Sequence, residues 1–260
     1  MISEAKLRTL AREQNSGVGL TEKDYVNSWI LRAIFTSKLR DNLVFKGGTA
    51  LSKIHFPERW RFSEDLDFTF RGIDFNELEH LQDILRKGLG RVSEESGIEF
   101  DVRSFHKNPE YAQIKVQYDA ILQQKNTTSL DVFGGEEIYF STQMVDHNFE
   151  DIPEFVIQVY SVDEIFVEKL RSLFQRARAR DYFDIYQLIT SKDFNKEKIN
   201  NALLKKSKSR KVEIDMNKFF EQTEDIRAYW DKALDRLTSS KPEFDEVNST
   251  IQNYLENQFE

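Results

Sequence analysis

Asp65 and Asp67 are one residue apart in the run Arg61-x-Ser63-x-Asp65-Leu66-Asp67-Phe68. If that run is extended, side chains two apart share a face, so both carboxylates point one way while Leu66 and Phe68 point into a core. Two neighbouring carboxylates repel unless a cation lies between them, and a hard divalent ion such as Mg2+ or Mn2+ meets that need with oxygen ligands. Upstream, the apolar residues 43–45 lead into Lys46-Gly47-Gly48-Thr49, where Thr49 can cap a helix. Paired glycines let backbone N–H groups approach a phosphate, and a helix N-terminus adds a favourable dipole. Each signal alone is commonplace, since a DxD arises by chance in acidic chains and Gly-Gly is an ordinary turn. In this order they read as a site for a metal-bound nucleoside triphosphate.

The flanking chain must position these groups. Residues 3–14 read as an amphipathic helix with Leu7, Leu10 and Ala11 on one side, and residues 15–19 as a loop. Thr21 reads as the N-cap of a helix over 22–40, whose Tyr25, Trp29, Ile30, Ala33, Ile34 and Leu39 recur at core-facing helical spacing. A helix over 75–94 carries Leu78, Leu81, Leu85 and Leu89 and ends at Gly97. Residues 98–105 and 112–122 read as strands; in the second, Ile114, Val116 and Tyr118 alternate with Lys115, Gln117 and Asp119. After a polar loop, residues 129–133 complete a hairpin. Asp131 is an acid inside this short apolar strand, where acids are depleted and a buried unpaired carboxylate is costly. It is either an edge acid facing water or the third member of a carboxylate cluster, and the DxD favours the cluster. Residues 134–150 read as loop with Glu136 and Glu137 solvated; Gly134-Gly135 has no helix pattern after it, so it is not a second phosphate loop. Residues 155–160 read as another strand.

From Ser161 the pattern is helical. Ser161 with Glu164 reads as a capping box. Glu168, Lys169 and Arg171 follow, then Arg176, Arg178, Arg180, Asp181 and Asp184. If one helix runs through, Lys169, Arg176, Arg180 and Asp184 fall on one stripe; a break within 177–180 changes that geometry. Leu170, Leu173 and Phe174 mark a core side. Beyond residue 192 the chain is polar and helix-rich. Residues 205–211 form a basic loop, either a solvated linker or a grip on an RNA backbone. Phe219, Phe220, Ile226, Tyr229, Trp230, Leu234 and Leu237, then Val247, Ile251, Tyr254 and Leu255, read as packing residues of a helical lobe.

Bulk properties narrow the class. The 260 residues are 39% hydrophobic with 21 Phe and 9 Tyr, a globular composition. There is no cysteine, hence no disulfide framework and no thiolate chemistry, which suits a reducing cytoplasm. No apolar run approaches the roughly 20 residues of a membrane span, and residues 1–14 lack the apolar core of a signal peptide. A formal charge of −8 argues against a general nucleic-acid coat, so a nucleic-acid substrate needs a local basic patch.

Two blocks of residues carry a family resemblance. The first is Lys46-Gly47-Gly48-Thr49, Leu51, Lys53, Arg61, Ser63, Asp65 and Asp67; the second is Glu168-Lys169-Leu170-Arg171-x-Leu173 with Arg176-x-x-x-Arg180-Asp181-x-x-Asp184. Their order and spacing resemble the nucleotidyltransferase superfamily and, within it, the AbiEii/AbiGii toxin family and MenT-like toxins, over roughly residues 20–190. The resemblance implies an α+β fold: a nucleotidyltransferase-like mixed sheet flanked by helices over 1–160, and a helical C-terminal domain over 161–260 contributing basic active-site residues. It implies that Asp65 and Asp67 hold Mg2+ or Mn2+ on the triphosphate. Asp131 then completes the metal set and helps deprotonate the acceptor. Lys46, Gly47, Gly48, Thr49, Lys53, Arg61 and Ser63 bind the nucleotide. Lys169, with Lys53 and Arg180, neutralises the phosphates, and Asp181 and Asp184 orient the basic groups or the base. One departure stands out: the family usually has a lysine two residues before Asp131, where this chain has Ser129. The implied activity is transfer of a nucleoside monophosphate from a triphosphate to an acceptor hydroxyl, the tRNA 3′ end in some relatives, restrained by a separately encoded antitoxin. A small-molecule or protein nucleotidyltransferase is the competing reading. A non-catalytic nucleotide-binding module is disfavoured by the intact Asp65, Asp67 and Asp131.

Overall fold

The buried residues Leu43, Val44, Phe45 and Lys46 form β1 (Leu43–Lys46), an inner strand of a seven-stranded mixed sheet. The computed structural model describes residues 1–57, 60–72, 78–176, 178–238 and 240–259. The chain divides into two units, residues 1–136 with 141–160, and residues 137–140 with 161–260.

The sheet belongs to the first unit. Its other strands are β2 (Leu66–Phe70), β3 (Glu99–Asn108), β4 (Tyr111–Asp119), β5 (Asn126–Phe133), β6 (Gln143–Phe149) and β7 (Ile152–Val159), in the order β3-β4-β5-β2-β1-β7-β6. The β1–β7 and β2–β5 pairs are parallel and the rest antiparallel. Alternation gives the sheet one apolar face, where Phe45, Phe68, Leu130, Val132 and Ile114 are buried. Ile34 and Phe35 of α2 (Val18–Phe35) and Leu85 of α4 (Leu78–Ser96) cover it. The Phe68 ring lies 5.5 Å from Phe45 and 6.4 Å from Phe35. Each such side chain contributes about 1.5–3 kcal/mol on burial. The short helix α1 (Glu4–Glu13) adds Leu7, Leu10 and Ala11 to the core.

Gly88 sets how closely α4 approaches α2. A Cβ there would lie 2.7 Å from the carbonyl oxygen of Ala33. Replacing glycine by alanine within a helix ordinarily stabilises by about 1 kcal/mol. Here the collision reverses the sign, and Gly88→Ala is expected to destabilise by about 1–3 kcal/mol. Urea unfolding reads this as a lower midpoint at unchanged slope. A midpoint at or above the parent's would show that the two helices do not meet there.

Several expectations change in this unit. The helix begins at Val18 after Gly17, so Thr21 is no cap: it is buried and its Oγ1 donates to the Gly17 carbonyl at 3.2 Å. The same helix stops at Phe35, and residues Lys38–Asp41 form a 3-10 turn. The expected start of the next helix at 75 lies outside the described residues, and its described part runs on to Ser96, with Gly97 at φ 75. The stretch 134–150 is not all loop, because it contains β6. That strand is at the sheet edge with Met144 67% exposed, and its mixed composition shows no buried face to read.

The second unit contains α5 (Val162–Gln175), α6 (Ala179–Ser191), α7 (Lys196–Ser209), α8 (Met216–Glu221), α9 (Thr223–Leu234) and α10 (Phe244–Phe259). Phe166, Leu170, Leu173, Tyr182, Leu203 and Val247 are buried in it. The helix breaks between Gln175 and Ala179, so the basic stripe does not form. Ser161 caps α5, its Oγ accepting from the Glu164 N–H at 3.3 Å. The Glu164 side chain does not complete the capping box. It accepts from the backbone N–H groups of Tyr139 at 2.9 Å and Phe140 at 2.7 Å, and pairs with Lys206 at 2.6 Å. The basic residues 205–209 end α7 rather than form a loop, and Lys206 is buried between Glu164 and Glu168. Tyr229 and Phe220 are exposed rather than packed. Among the described residues no helix is long and apolar enough to cross a membrane.

Candidate active site

Register aligns four side chains across the sheet. Lys46 is opposite Asp67, Asp67 opposite Asp131, and Asp131 opposite Gln113. Directly opposed residues share a face, so β1, β2, β5 and β4 present Lys46, Asp67, Asp131 and Gln113 as one row. The same face holds Thr69, Phe133 and Tyr111 in the next row. It is the face opposite the apolar one, because Leu66, Phe68, Leu130 and Val132 alternate with the row.

Gly47 closes one end. Its φ is +80, where L side chains are strained, and a Cβ would run into the Asp67 carboxylate. The glycine therefore lets the turn after β1 press against the acid. Gly47–Ala50 makes a single α turn, α3, that continues as a π-helix over Leu51–His55. So short a helix offers N–H donors but little dipole. Thr49 Oγ1 donates to the carbonyl of Asp65, tying the turn to the acid-bearing segment. Asp65 lies just before β2, two residues from Asp67.

Asp131 is held by β4. The Tyr111 hydroxyl donates to Asp131 Oδ1, and Gln113 Nε2 donates to the same oxygen at 3.0 Å. Burial, then Asp131, push the Tyr111 hydroxyl well above its ordinary pKa, so it remains a donor at neutral pH. Asp67 and Asp131 are paired in register and Asp65 is two residues before Asp67; their hard oxygens are a chemistry that fits Mg2+ or Mn2+. Among the described residues no three acid or imidazole groups already converge at metal-binding distance. Ser129 is opposite Lys115 of β4, so register supplies a lysine beside the position where Ser129 departs from the family pattern.

Lys46 is buried. Its Nζ contacts Glu136 Oε2 and lies 4.5 Å from the centre of the Phe133 ring. Thr69 Oγ1 donates to the same Glu136 oxygen at 2.8 Å and is 2.6 Å from the Tyr160 hydroxyl. Glu136 is therefore not solvated, as local sequence led one to expect. A carboxylate so buried needs a cation, and Lys46 provides it.

Lys53 and Arg61 share a cavity in the first unit, which they line with Asp24 and His147 and whose volume is about 480 Å³. Lys53 Nζ is 2.8 Å from Asp24 Oδ1, from the Asp24 carbonyl and from Ser28 Oγ, which matches the three donors of an ammonium. Arg61 is buried and donates to the Phe62 carbonyl at 3.0 Å. Ser63 is half-buried.

His147 Nε2 lies 3.2 Å from Ser28 Oγ in the same network. Burial, helped by the neighbouring Lys53 charge, pushes its pKa down to about 3. The unfolded chain thus takes up a proton near pH 6.5 that the folded unit refuses until about pH 3. Stability from this group is complete above pH 6.5 and falls by about 1.4 kcal/mol per unit below it. Denaturant titrations at pH 7 and pH 5 should show a drop in the parent that is smaller by about 2 kcal/mol in His147→Gln. Equal drops in both would show that His147 titrates normally.

In the second unit, Lys169 Nζ lies 2.8 Å from Asp181 Oδ1 and 2.9 Å from Asp184 Oδ2. Both aspartates are buried at the start of α6. Arg176 Nε reaches Asp181 Oδ2 at 3.3 Å. Arg176, Arg178 and Arg180 line a cavity of about 620 Å³ with Gln222, Asp225 and Tyr229.

Residues 29–257 match a family model described as nucleotidyl transferase AbiEii toxin, type IV TA system. The chain belongs to this family. An AbiEii chain is thus a nucleotidyltransferase toxin, as the two motif blocks imply, and a partner antitoxin and a nucleoside triphosphate substrate follow from the family. The chain is similar in fold to MenT4, a nucleotidyltransferase toxin from Mycobacterium tuberculosis H37Rv, at 16% identity and a TM-score of 0.71, covering 97% of this chain and 88% of that one. It is also similar to a putative nucleotidyltransferase from H. pylori, at 19% identity and a TM-score of 0.53, covering 88% and 89%. No curated protein matches it in sequence. Around the AbiEii motifs, local reading missed Gln113, Tyr111, Thr69, Glu136 and Tyr160. Their approach to the acids depends on which strands pair, which no local pattern shows.

Proposed function

We propose that this toxin holds a nucleoside triphosphate and Mg2+ or Mn2+ with Asp65, Asp67 and Asp131, and transfers the nucleoside monophosphate to a hydroxyl at a tRNA 3′ end. The observation that supports it most is the Lys46, Asp67 and Asp131 row closed by Gly47. The bound ion would neutralise phosphate charge and favour the attacking alkoxide. The chain's own groups do the rest. Gly47 and Gly48 offer N–H donors to the phosphates. Asp131 turns from Tyr111 and Gln113 to take the acceptor proton. The acceptor oxygen bonds to the α-phosphorus, the α–β bridging bond breaks, and pyrophosphate leaves with the electron pair. Lys46 is steadied by Glu136, and Lys53 anchors the helical turn through Asp24. Lys169 orders Asp181 and Asp184. Arg176, Arg178 and Arg180 offer guanidinium groups to an RNA backbone, and the exposed Tyr229 offers a ring for an unpaired base.

The test is incubation with each labelled triphosphate, Mg2+ and, separately, total tRNA, bacterial protein and small-molecule hydroxyl acceptors. Label should enter the tRNA at its 3′ end. Label in protein or a small molecule would reassign the acceptor, and none in any fraction would overturn transfer itself.

A further inference from the structure

We propose that Lys115 is a substrate-binding residue, supplying from β4 the exposed ammonium that meets the phosphates of a nucleoside triphosphate on the acid-bearing face. This rests on reading that face as the triphosphate site. Lys115 is two residues from Gln113 on β4, so it points to the same side, and the Gln113–Asp131 hydrogen bond fixes which side that is. It is directly opposite Ser129, two residues before Asp131 on β5. The β2–β5 ladder opens at Leu66 and Leu130, so Asp65 and Ser129 are the residues just before its first pair. A row Ser129, Lys115 and Ser104 therefore lies beside the row Lys46, Asp67, Asp131 and Gln113.

On this face the described residues of β1, β2, β4 and β5 include two cations, Lys46 and Lys115. Lys46 is 5% exposed and pairs with Glu136, whereas Lys115 is exposed. A lysine on a merely solvated strand gains most from an acid directly across the ladder. Lys115 faces Ser129 on one side and Ser104 on the other, with Gln113 and Gln117 along its own strand, all uncharged; the diagonal acid on β3, Asp101, pairs with Arg103 at 3.1 Å. Diagonal neighbours on adjacent strands are about 7–8 Å apart at Cα, a span the four-carbon stem of lysine covers from Lys115 toward Asp131. The charge thus lies diagonal to Asp131 with no acid directly opposite it, where a polyphosphate held by the carboxylates and a divalent ion would present its oxygens. A compact, hydrated ammonium on a flexible stem suits that contact.

The experiment is a binding isotherm for a triphosphate analogue with a non-cleavable α–β bridge, in Mg2+, for the parent, Lys115→Met, Lys115→Arg and Asp67→Asn. Lys115→Met should weaken binding by about tenfold to a hundredfold. It should also flatten the salt dependence. Lys115→Arg should restore most of the affinity, and thermal melting should be unchanged. A Lys115→Met protein that binds like the parent, while Asp67→Asn does not, would overturn the role of Lys115 and leave the acid site standing. A parent that binds no analogue would overturn the triphosphate site and Lys115 with it.

Discussion

Asp131→Asn is expected to bind a triphosphate within a few-fold of the parent and to lose about 10²–10⁴-fold in transfer rate. Asparagine keeps the shape and an acceptor oxygen, so Tyr111 and Gln113 retain their partner and the β4–β5 pairing is undisturbed. On the proposed reading, Asp65 and Asp67 still hold the triphosphate. What is lost is a carboxylate able to accept the acceptor's proton, a group that acts mainly in the transition state. A single-turnover rate beside an isotherm for the same variant separates the two effects. Transfer at the parental rate would leave Asp131 only a structural partner of Tyr111 and Gln113 and require another base.

Lys169→Ala is expected to act first on stability. Its ammonium lies between Asp181 and Asp184, whose carboxylates are 2% and 0% exposed. Removing one partner from a buried ionic cluster costs about 3–5 kcal/mol. For a chain of this size that lowers the melting temperature by roughly 6–20 °C. Combining Lys169→Met with Asp184→Asn removes the uncompensated charge and should recover much of the loss. If Lys169→Ala melts like the parent and yet fails to transfer, the lysine acts on substrate rather than on Asp181 and Asp184.

Local patterns announced much of the first unit. Leu66 and Phe68 alternate with Asp67 and are fully buried, the apolar residues of β1 run into Gly47, and Ser161 caps α5. Pairings between distant residues were not announced. Glu136 looked solvated because nothing within several residues opposes it; its partner is ninety positions away at Lys46. Glu164 had the right spacing for a capping box, but Lys206 and two backbone N–H groups compete for it. The family resemblance assigned Lys53 to the nucleotide, and no local pattern could show the Asp24 carboxylate 2.8 Å from its ammonium. The stripe from Lys169 to Asp184 assumed one helix, and the turn after Gln175 breaks the periodicity. In each case the residue type was informative and its direction was not.

The most direct measurement follows two labels in parallel reactions with tRNA and Mg2+, one on the α-phosphate and one on the γ-phosphate of the same triphosphate. The α label should appear in the RNA and the γ label in pyrophosphate, with neither transferred in excess chelator nor by Asp67→Asn. Transfer of the γ label to the acceptor, or transfer of the α label undiminished in chelator, would contradict nucleotidyl transfer from a metal-held triphosphate on this sheet face.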